Sequence, residues 1–326
     1  MTDAPASRLG DHDDQPHQLS EDPWETETWW FSFVVPERAM LGYLYTFVRP
    51  NLGICGGGAM VWDDTGHLPW DALFFDHQWS IPLPRLPEGP RLVFPNGTTV
   101  EVRRALHDYH VEYRSIGHRS IDHPGDQGLS VDIDFEGVTE PNAFVQGRYP
   151  FVVAAHLDQP GRVRGVVVVR GERVAIDCFA MRDRSWGGPR TDLKATRVGY
   201  SFGTAAADRG FLAFARPHRD GSSEPEPVTS GYLLRDGIRA PLVEGGRRVV
   251  RDEAQGWPTR IELWATDADG RHLAVVGHAV NRIAFQAYPR MLNWTSLMRW
   301  EDDGAVAWGE DQDVWPLGMW RRPAAR

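Results

Sequence analysis

The chain has 326 residues, a mass of 36.8 kDa and a formal net charge of -10 at pH 7, which suits two domains or one large all-β unit. Apolar residues make up 41% of the chain, enough for a sizeable core, and no apolar run reaches the about 18 residues that a membrane-spanning helix needs. The mild acidity argues against a nucleic-acid binder, and two cysteines, Cys55 and Cys178, exclude a disulfide framework and a four-cysteine metal site.

Residues 1–22 form an acidic segment. It carries six acidic residues against one arginine, Arg8, and so supplies half of the net charge. Because it lacks aromatic and β-branched core residues, apart from one threonine, we predict a disordered N-terminal tail. It also lacks the basic and apolar regions of a signal peptide, which favours a cytoplasmic protein.

Strand-like runs separated by turn residues follow along the rest of the chain. The turn segments include DDTG, PNGTT, RDG and DADG, and helical periodicity is hard to find. Many short strands with such turns predict an all-β protein built of barrels or sandwiches. The predicted strands are Trp29–Val35, Met40–Val48, Thr98–Arg103, Leu129–Phe135, Phe151–Leu157, Val163–Val169, Arg173–Phe179, Arg197–Phe202, Phe211–Arg216, Arg247–Val250, Arg260–Ala265, His272–Val280 and Leu292–Trp300.

A turn-rich stretch, EPNAFVQGRYP, separates two blocks of strands. We therefore predict a first domain over residues 23–148 and a second over residues 149–322. Alternate residues within each strand form apolar faces with a few polar atoms among them. Such faces are typical of a packed core, and a barrel interior that holds one apolar ligand has the same pattern.

The segment MRDRSWGGPR, from Met181 to Arg190, is the most distinctive run in the chain. It resembles the signature of the hydroxyneurosporene synthase (carotenoid hydratase)-like family, whose members look like paired lipocalin-type β-domains. WWFSFVVPERAM, HLDQPGRVRG and LMRWEDDG are similar to other parts of that family, so the resemblance covers most of residues 24–320. Arg184, where histidine is common, and the extra Gly188 depart from the pattern. The resemblance implies two lipocalin- or calycin-like domains in tandem, with the RDRSWG motif in the second.

The same resemblance implies a hydrophobic substrate of isoprenoid, terpenoid, carotenoid or steroid type. A hydratase, cyclase or double-bond isomerase for such a molecule needs no cofactor. It needs a proton donor, aromatic faces that stabilise a carbocation, and a placed water. A carboxyl group kept protonated by an apolar site supplies the proton. We predict Asp183 as this acid, with His156 and Tyr200 beside it. The residues predicted to contact the substrate are Trp186, Trp29, Phe31, His278, Asn281, Trp300, Trp308 and Glu310.

Each candidate also has a structural interpretation. Arg182, Arg184 and Arg190 flank Asp183. Ion pairing with them would lower the pKa of its carboxyl group and make it unsuitable as a proton donor. His156 and Trp186 could be core residues, and Glu310 could lie in a solvated acidic loop. A non-catalytic, lipocalin-like carrier of an apolar small molecule is therefore the alternative function.

Other chemistries have weak signals. His107, His110, His118 and His123 form a histidine-rich stretch, but residues three apart on a strand point to opposite faces, so we predict no metal site. GYSFG contains the Gly-x-Ser-x-Gly pattern without the surrounding α/β elements of a serine hydrolase. The oligomeric state is left open by the sequence.

Overall fold

The computed structural model describes residues 9–17, 20–115, 128–148, 151–187, 197–216, 218 and 224–319. Within these residues the chain forms twenty β-strands and four short 3-10 turns, and no α-helix. None of the described helical turns has the length or apolarity needed to cross a bilayer. The 3-10 turns span Asp11–Asp14, Pro36–Arg38, Pro50–Leu52 and Leu317–Met319.

The first eleven strands form one open, half-barrel sheet in which all pairs are antiparallel. Its order is β4-β3-β2-β1-β11-β10-β8-β7-β6-β5, and β9 pairs with β10 beside this path. The strands are β1 Glu27–Val35, β2 Met40–Arg49, β3 Ile54–Trp62, β4 Phe74–Pro82, β5 Arg91–Val93, β6 Thr98–Arg104, β7 Asp108–Arg114, β8 Leu129–Gly137, β9 Asn142–Arg148, β10 Phe151–Val169 and β11 Glu172–Gly187.

The remaining nine strands form a second sheet. Eight of them close into a barrel because β17 pairs with β19, and β18 lies outside on β19. The strands are β12 Val198–Ala206, β13 Arg209–Ala215, β14 Glu226–Arg235, β15 Ile238–Arg251, β16 Pro258–Asp267, β17 His272–Ala279, β18 Ile283–Tyr288, β19 Met291–Asp302 and β20 Ala305–Pro316. The predicted all-β fold with two tandem β units is confirmed.

The two sheets divide between Gly187 and Val198. The long strands β10 and β11 pair with each other along their length, and β11 also pairs with β1. The turn-rich stretch after Glu140 is a hairpin strand, β9, which pairs with β10. The hydrogen-bonded sheets therefore divide later than the predicted boundary at 148/149, and the RDRSWG motif lies in the first sheet instead of the second.

Part of the segment predicted to be disordered is packed against the first sheet. Asp13 and Asp14 are buried. The Asp14 carboxylate accepts hydrogen bonds from the Tyr109 hydroxyl at 2.8 Å and from the Leu106 amide at 2.6 Å. It also lies 3.5 Å from an Arg182 guanidinium nitrogen. The Asp14 side chain is thus held by partners far along the chain, which composition alone does not reveal.

The half-barrel and the barrel share an apolar interface. One core cluster joins Trp30 and Tyr43 of the first sheet to Tyr200, Phe202 and other residues of the second. A separate cluster fills the barrel interior. Burying apolar surface between the sheets stabilises their contact by about 25 cal/mol per Å². A polar group placed in this interface is surrounded by apolar side chains and is therefore poorly solvated.

Candidate functional site

A row of polar side chains lies on the face of the first sheet that packs against the barrel. Asp183 and Ser185 stand two residues apart on β11, and their cross-strand partners on β10 are Asp158 and His156. Because alternate residues of a strand point to the same face, these four side chains meet on one face. Asp158 and Ser185 are buried, whereas His156 and Asp183 are partly accessible.

These groups form a hydrogen-bonded chain that reaches the barrel. The Ser185 hydroxyl lies 2.7 Å from His156 Nδ1, and His156 Nε2 lies 3.1 Å from Asp158 Oδ2. The second carboxylate oxygen, Asp158 Oδ1, accepts a hydrogen bond from the Tyr200 hydroxyl at 2.9 Å. Burial and the charge of Asp158 raise the pKa of Tyr200 well above its usual range, so the phenol keeps its proton and donates it to this bond.

Glu310 on β20 supplies a carboxyl group from the barrel side. It is fully buried. Its Oε2 accepts a weak hydrogen bond from the Gln312 amide at 3.3 Å, and its Oε1 has no hydrogen-bond partner among the described residues. Burial raises the pKa of Glu310 to about 8, the charge of Asp183 adds to this rise, and Ser32 and Gln312 offset it only in part. The carboxyl group is therefore mostly protonated at neutral pH and able to donate a proton.

Aromatic rings enclose these polar groups. The Trp30 ring lies edge-on to Tyr200 and Phe202, with centroid separations of 6.4 and 6.3 Å. The Phe214 ring lies 4.9 Å from Tyr200 and 5.9 Å from His156. The faces of aromatic rings carry partial negative charge and stabilise nearby cations. The site thus combines a neutral acid, a hydrogen-bonded imidazole and π faces.

The arginines beside Asp183 point to the opposite face of β11. Arg184 donates to Glu27 Oε2 at 3.1 Å, and its guanidinium lies 4.1 Å from the centroid of the Trp29 ring. Arg182 donates to Gln159 Oε1 at 2.6 Å. Strand alternation explains this separation, because Arg182 and Arg184 flank Asp183 in sequence. Arg190, the third flanking arginine, lies outside the described residues.

The structure brings four of the predicted site residues together, namely Asp183, His156, Tyr200 and Glu310. Glu310 lies within a strand and not in the solvated loop that its acidic neighbours suggested. Asp158 and Ser185 were not predicted from the sequence as site residues. Each stands two residues from a predicted site residue on the same strand, and this spacing was the signal that could have found them.

Three predicted substrate contacts lie on the other face of the first sheet. Trp29 packs 4.9 Å from the Phe94 ring, and Phe31 packs 5.8 Å from the Phe135 ring. Trp186 stacks on His17 with a centroid separation of 4.8 Å. Trp29 and Phe31 therefore belong to the main core cluster, and Trp186 belongs to a small separate cluster with Ala155 and Leu157. Trp30, which was not predicted as a substrate contact, is the tryptophan of β1 that lies beside Tyr200 and Phe202.

The remaining predicted contacts are spread over the barrel. Trp300 is fully buried in the barrel core, with its ring 5.2 Å from Phe211. Trp308 is half-buried against the shared core cluster. His278 is exposed on β17, on the face that points away from the barrel interior. Trp308 stands two residues before Glu310 on β20 and therefore shares its face.

Asn281 has a structural role that joins the two sheets. Its Oδ1 accepts hydrogen bonds from Trp62 Nε1 at 3.0 Å and from the Leu297 amide at 2.9 Å, and its Nδ2 donates to the Ala39 carbonyl at 2.6 Å. Trp62 and Ala39 belong to the first unit and Leu297 to the second. The Asn281 side chain therefore connects the two units through hydrogen bonds inside the interface.

Asn281→Leu should destabilise the folded protein by about 2–4 kcal/mol, because three partners, two of them buried, lose their hydrogen bonds while the number of side-chain heavy atoms stays the same. Urea unfolding followed by tryptophan fluorescence measures this loss. The exposed His278→Ala is the matched control and should change the free energy of unfolding by less than about 0.5 kcal/mol. Equal, small effects of both substitutions would contradict the stabilising role assigned to the hydrogen bonds of Asn281.

Metal and thiol chemistry receive little support in the described residues. His107 and His110 have separate partners, Asp108 at 2.7 Å and Asp134 at 2.8 Å, while His118 and His123 lie outside the described residues. His110, Glu112 and Asp132 hold ligand atoms within 4.8 Å of one another, and they are the residues that could bind a cation. However, Glu112 is also bound by Arg91 at 2.8 Å. Cys55 and Cys178 are buried, and burial raises the pKa of each thiol to about 12.

Residues 10–311 match the family model described as a domain of unknown function, DUF7064. The chain belongs to this family. No curated protein matches the DUF7064 chain. Among solved structures, a Nitrosomonas europaea protein assigned to the ATTH type is similar over 96% of this chain and 98% of its own, with 13% identity and a TM-score of 0.63.

A second solved structure, kievitone hydratase from Nectria haematococca, covers 95% of this chain and 96% of its own, with 11% identity and a TM-score of 0.53. At these identities the likeness shows the fold alone. Both structures are lipocalin-like, which supports the paired β architecture that the sequence resemblance implied.

Proposed function

We propose that this DUF7064 chain is a cofactor-independent hydratase, isomerase or cyclase that acts on a hydrophobic, isoprenoid-type substrate between its two β units. The observation that carries the proposal is Glu310, a fully buried carboxyl group whose pKa of about 8 keeps it mostly protonated at neutral pH. Its Oε1 has no hydrogen-bond partner among the described residues. A neutral acid in an apolar, aromatic site is the group that protonation of a carbon–carbon double bond requires.

In the proposed reaction Glu310 transfers its proton to one carbon of the double bond, and the positive charge develops on the other carbon. The π faces of Trp30, Phe202 and Phe214 stabilise that charge. A water molecule attacks the cation and passes a proton to His156, which completes a hydration. Loss of a proton from the cation to His156 instead completes an isomerisation. Attack by a second double bond closes a ring and moves the positive charge to a new carbon, and loss of a proton from that cation to His156 completes a cyclisation.

Asp183 takes a different part in this proposal from the one predicted from the sequence. Its negative charge favours the protonated form of Glu310, so it tunes the donor. The competing prediction, in which Asp183 itself donates the proton, stays open. Asp183→Asn separates the two: tuning predicts a catalytic pH optimum shifted to lower pH, whereas direct donation predicts complete loss of turnover.

Two likenesses support the reaction class. The RDRSWG region resembles the carotenoid hydratase-like family, and a structural neighbour is a hydratase. The aromatic lining also suits the alternative of a non-catalytic carrier, which needs no proton donor. Native mass spectrometry of the protein from its source separates the two functions, because an intact bound lipid that is never converted indicates carriage.

Incubation of the protein with a panel of isoprenoids and sterols in heavy water tests the proposal. We expect deuterium in a new product from at least one substrate, and a rate reduced by roughly 100-fold or more in Glu310→Gln, which has no acidic proton to give. The exposed Glu301→Gln on β19 is the control and should retain full activity. Ligand binding without deuterium uptake, or full activity in Glu310→Gln, would refute acid catalysis by Glu310.

A further inference from the structure

Ser185, His156 and Asp158 have the connectivity of a nucleophile–base–acid triad. The imidazole binds the serine hydroxyl through one ring nitrogen, at 2.7 Å, and the carboxylate through the other, at 3.1 Å. A carboxylate only accepts hydrogen bonds, so the proton of the neutral imidazole is on Nε2 and the Nδ1 lone pair faces the hydroxyl. We propose that Ser185 is an activated nucleophile, and that this site cleaves carboxylic esters of apolar acids.

Strand geometry holds the triad rigidly. Ser185 and His156 are direct cross-strand partners on β11 and β10, and Asp158 follows His156 on the same face. The Ser185 amide donates to Thr28 Oγ1 at 3.1 Å, and the Tyr200 hydroxyl occupies the second oxygen of Asp158. A triad works by this kind of fixed orientation and is recognised by geometry and roles instead of sequence order. The arrangement does not depend on the GYSFG segment, whose Ser201 has no histidine partner among the described residues.

The triad is reached from the side of the imidazole. The His156 side chain is 29% exposed, whereas Asp158 is fully buried. The rings of Phe144 and Phe214 lie 6.2 and 5.9 Å from the imidazole. An incoming ester therefore meets an apolar aromatic rim before it meets the hydroxyl, which favours acyl groups of apolar character.

The reaction needs only ester and water. Ser185 Oγ forms a bond to the ester carbonyl carbon while its proton moves to His156 Nδ1. The bond from that carbon to the alkoxy oxygen then breaks, and the leaving alcohol takes the proton. Water repeats the sequence on the acyl-Ser185 ester, which releases the acid and restores the hydroxyl. Glu310 takes no part, so the inference goes beyond the proposed function and does not rest on it.

A fluorophosphonate probe, which reacts with activated serines, tests the inference through intact mass and peptide mapping. We expect one adduct per chain, located on Ser185, absent from Ser185→Ala and formed roughly 100-fold more slowly in Asp158→Asn. Ser201→Ala is the matched control, because Ser201 is also buried and bonded to an aspartate, Asp311, at 2.6 Å, and it should retain labelling. Hydrolysis of p-nitrophenyl esters should follow the same order among the variants.

The outcome is independent of the proposed hydratase reaction. Labelling is read by mass and needs no alkene substrate, so its failure can be told apart from a failure of alkene chemistry. The exposed Glu301→Gln on β19 should label at the unaltered rate. Absence of any adduct on the folded protein, together with esterase activity no greater than that of Ser185→Ala, would overturn the inference. An adduct that persists in Ser185→Ala would overturn it equally.

Discussion

Glu310→Gln should make the protein more stable than the unaltered chain at alkaline pH, and the difference should disappear toward acidic pH. Burial raises the pKa of Glu310 from its ordinary 4.5 to about 8. Below pH 4.5 the carboxyl group is protonated in both the folded and the unfolded chain. Between these two values the unfolded chain ionises and the folded chain does not, so stability is lost as the pH rises, at about 1.4 kcal/mol per pH unit for one proton.

The glutamine side chain is neutral at every pH, so the Glu310→Gln protein does not lose this stability as the pH rises. We expect the two free energies of unfolding to separate by a few kcal/mol between about pH 5 and pH 8, and to run parallel above that. Urea unfolding at about pH 5, 7 and 9 measures the separation, and Glu301→Gln, on the exposed surface, should follow the unaltered protein. Parallel curves for Glu310→Gln would show an ordinary carboxyl pKa and would remove the basis for its role as donor.

Arg247→Met should destabilise the barrel by about 3–5 kcal/mol, because it leaves buried carboxylates without their counter-ion. Arg247 is fully buried inside the second sheet. Its guanidinium donates to both oxygens of Asp311 at 2.8 Å and also binds Glu226. Burial raises the pKa of Asp311 while the charge of Arg247 opposes that rise, so the arginine is what permits ionised acids in the barrel.

The neighbouring Arg248→Met is the matched control. Arg248 pairs with Glu262 at the surface, and its loss should change the free energy of unfolding by less than about 1 kcal/mol. Replacement of Arg247, Asp311 and Glu226 together by apolar residues should recover most of the stability lost in the single variant, because no buried charge is then left unpaired. A triple variant less stable than Arg247→Met would contradict this explanation.

The fold class was readable from the sequence because strand periodicity and turn chemistry are local. The position at which the chain passes from one sheet to the other could not be predicted from the sequence. A turn-rich stretch occurs in hairpins as well as in linkers, and here it forms the hairpin strand β9. Order in the acidic segment also escaped prediction. The partners of Asp14, such as Tyr109 and Arg182, are distant in the chain, and composition carries no information about such contacts.

The site was readable only in part. The RDRSWG resemblance led to Asp183, and strand runs led to His156 and Tyr200, which the structure places in one hydrogen-bonded and electrostatic group. The alternation of side chains along a strand shows which residues share a face, but it does not show which face packs against the barrel. Trp29 was therefore predicted as a substrate contact, whereas Trp30 is the residue on the face toward the barrel. The catalytic roles of these residues remain predictions for the experiments described above.

The hydrogen bond from Tyr200 to Asp158 connects the barrel to the half-barrel, and it has a consequence for how this protein can change. The carboxyl, imidazole and phenol groups of the proposed centre come from both halves of the chain, so neither half alone contains all of them. Recombination that exchanges one half for a homologous half would keep two folded units and break the alignment between them. We therefore expect substitutions in homologous chains to occur in pairs across the interface between the half-barrel and the barrel, so that a change near Tyr200 is accompanied by a change near Asp158.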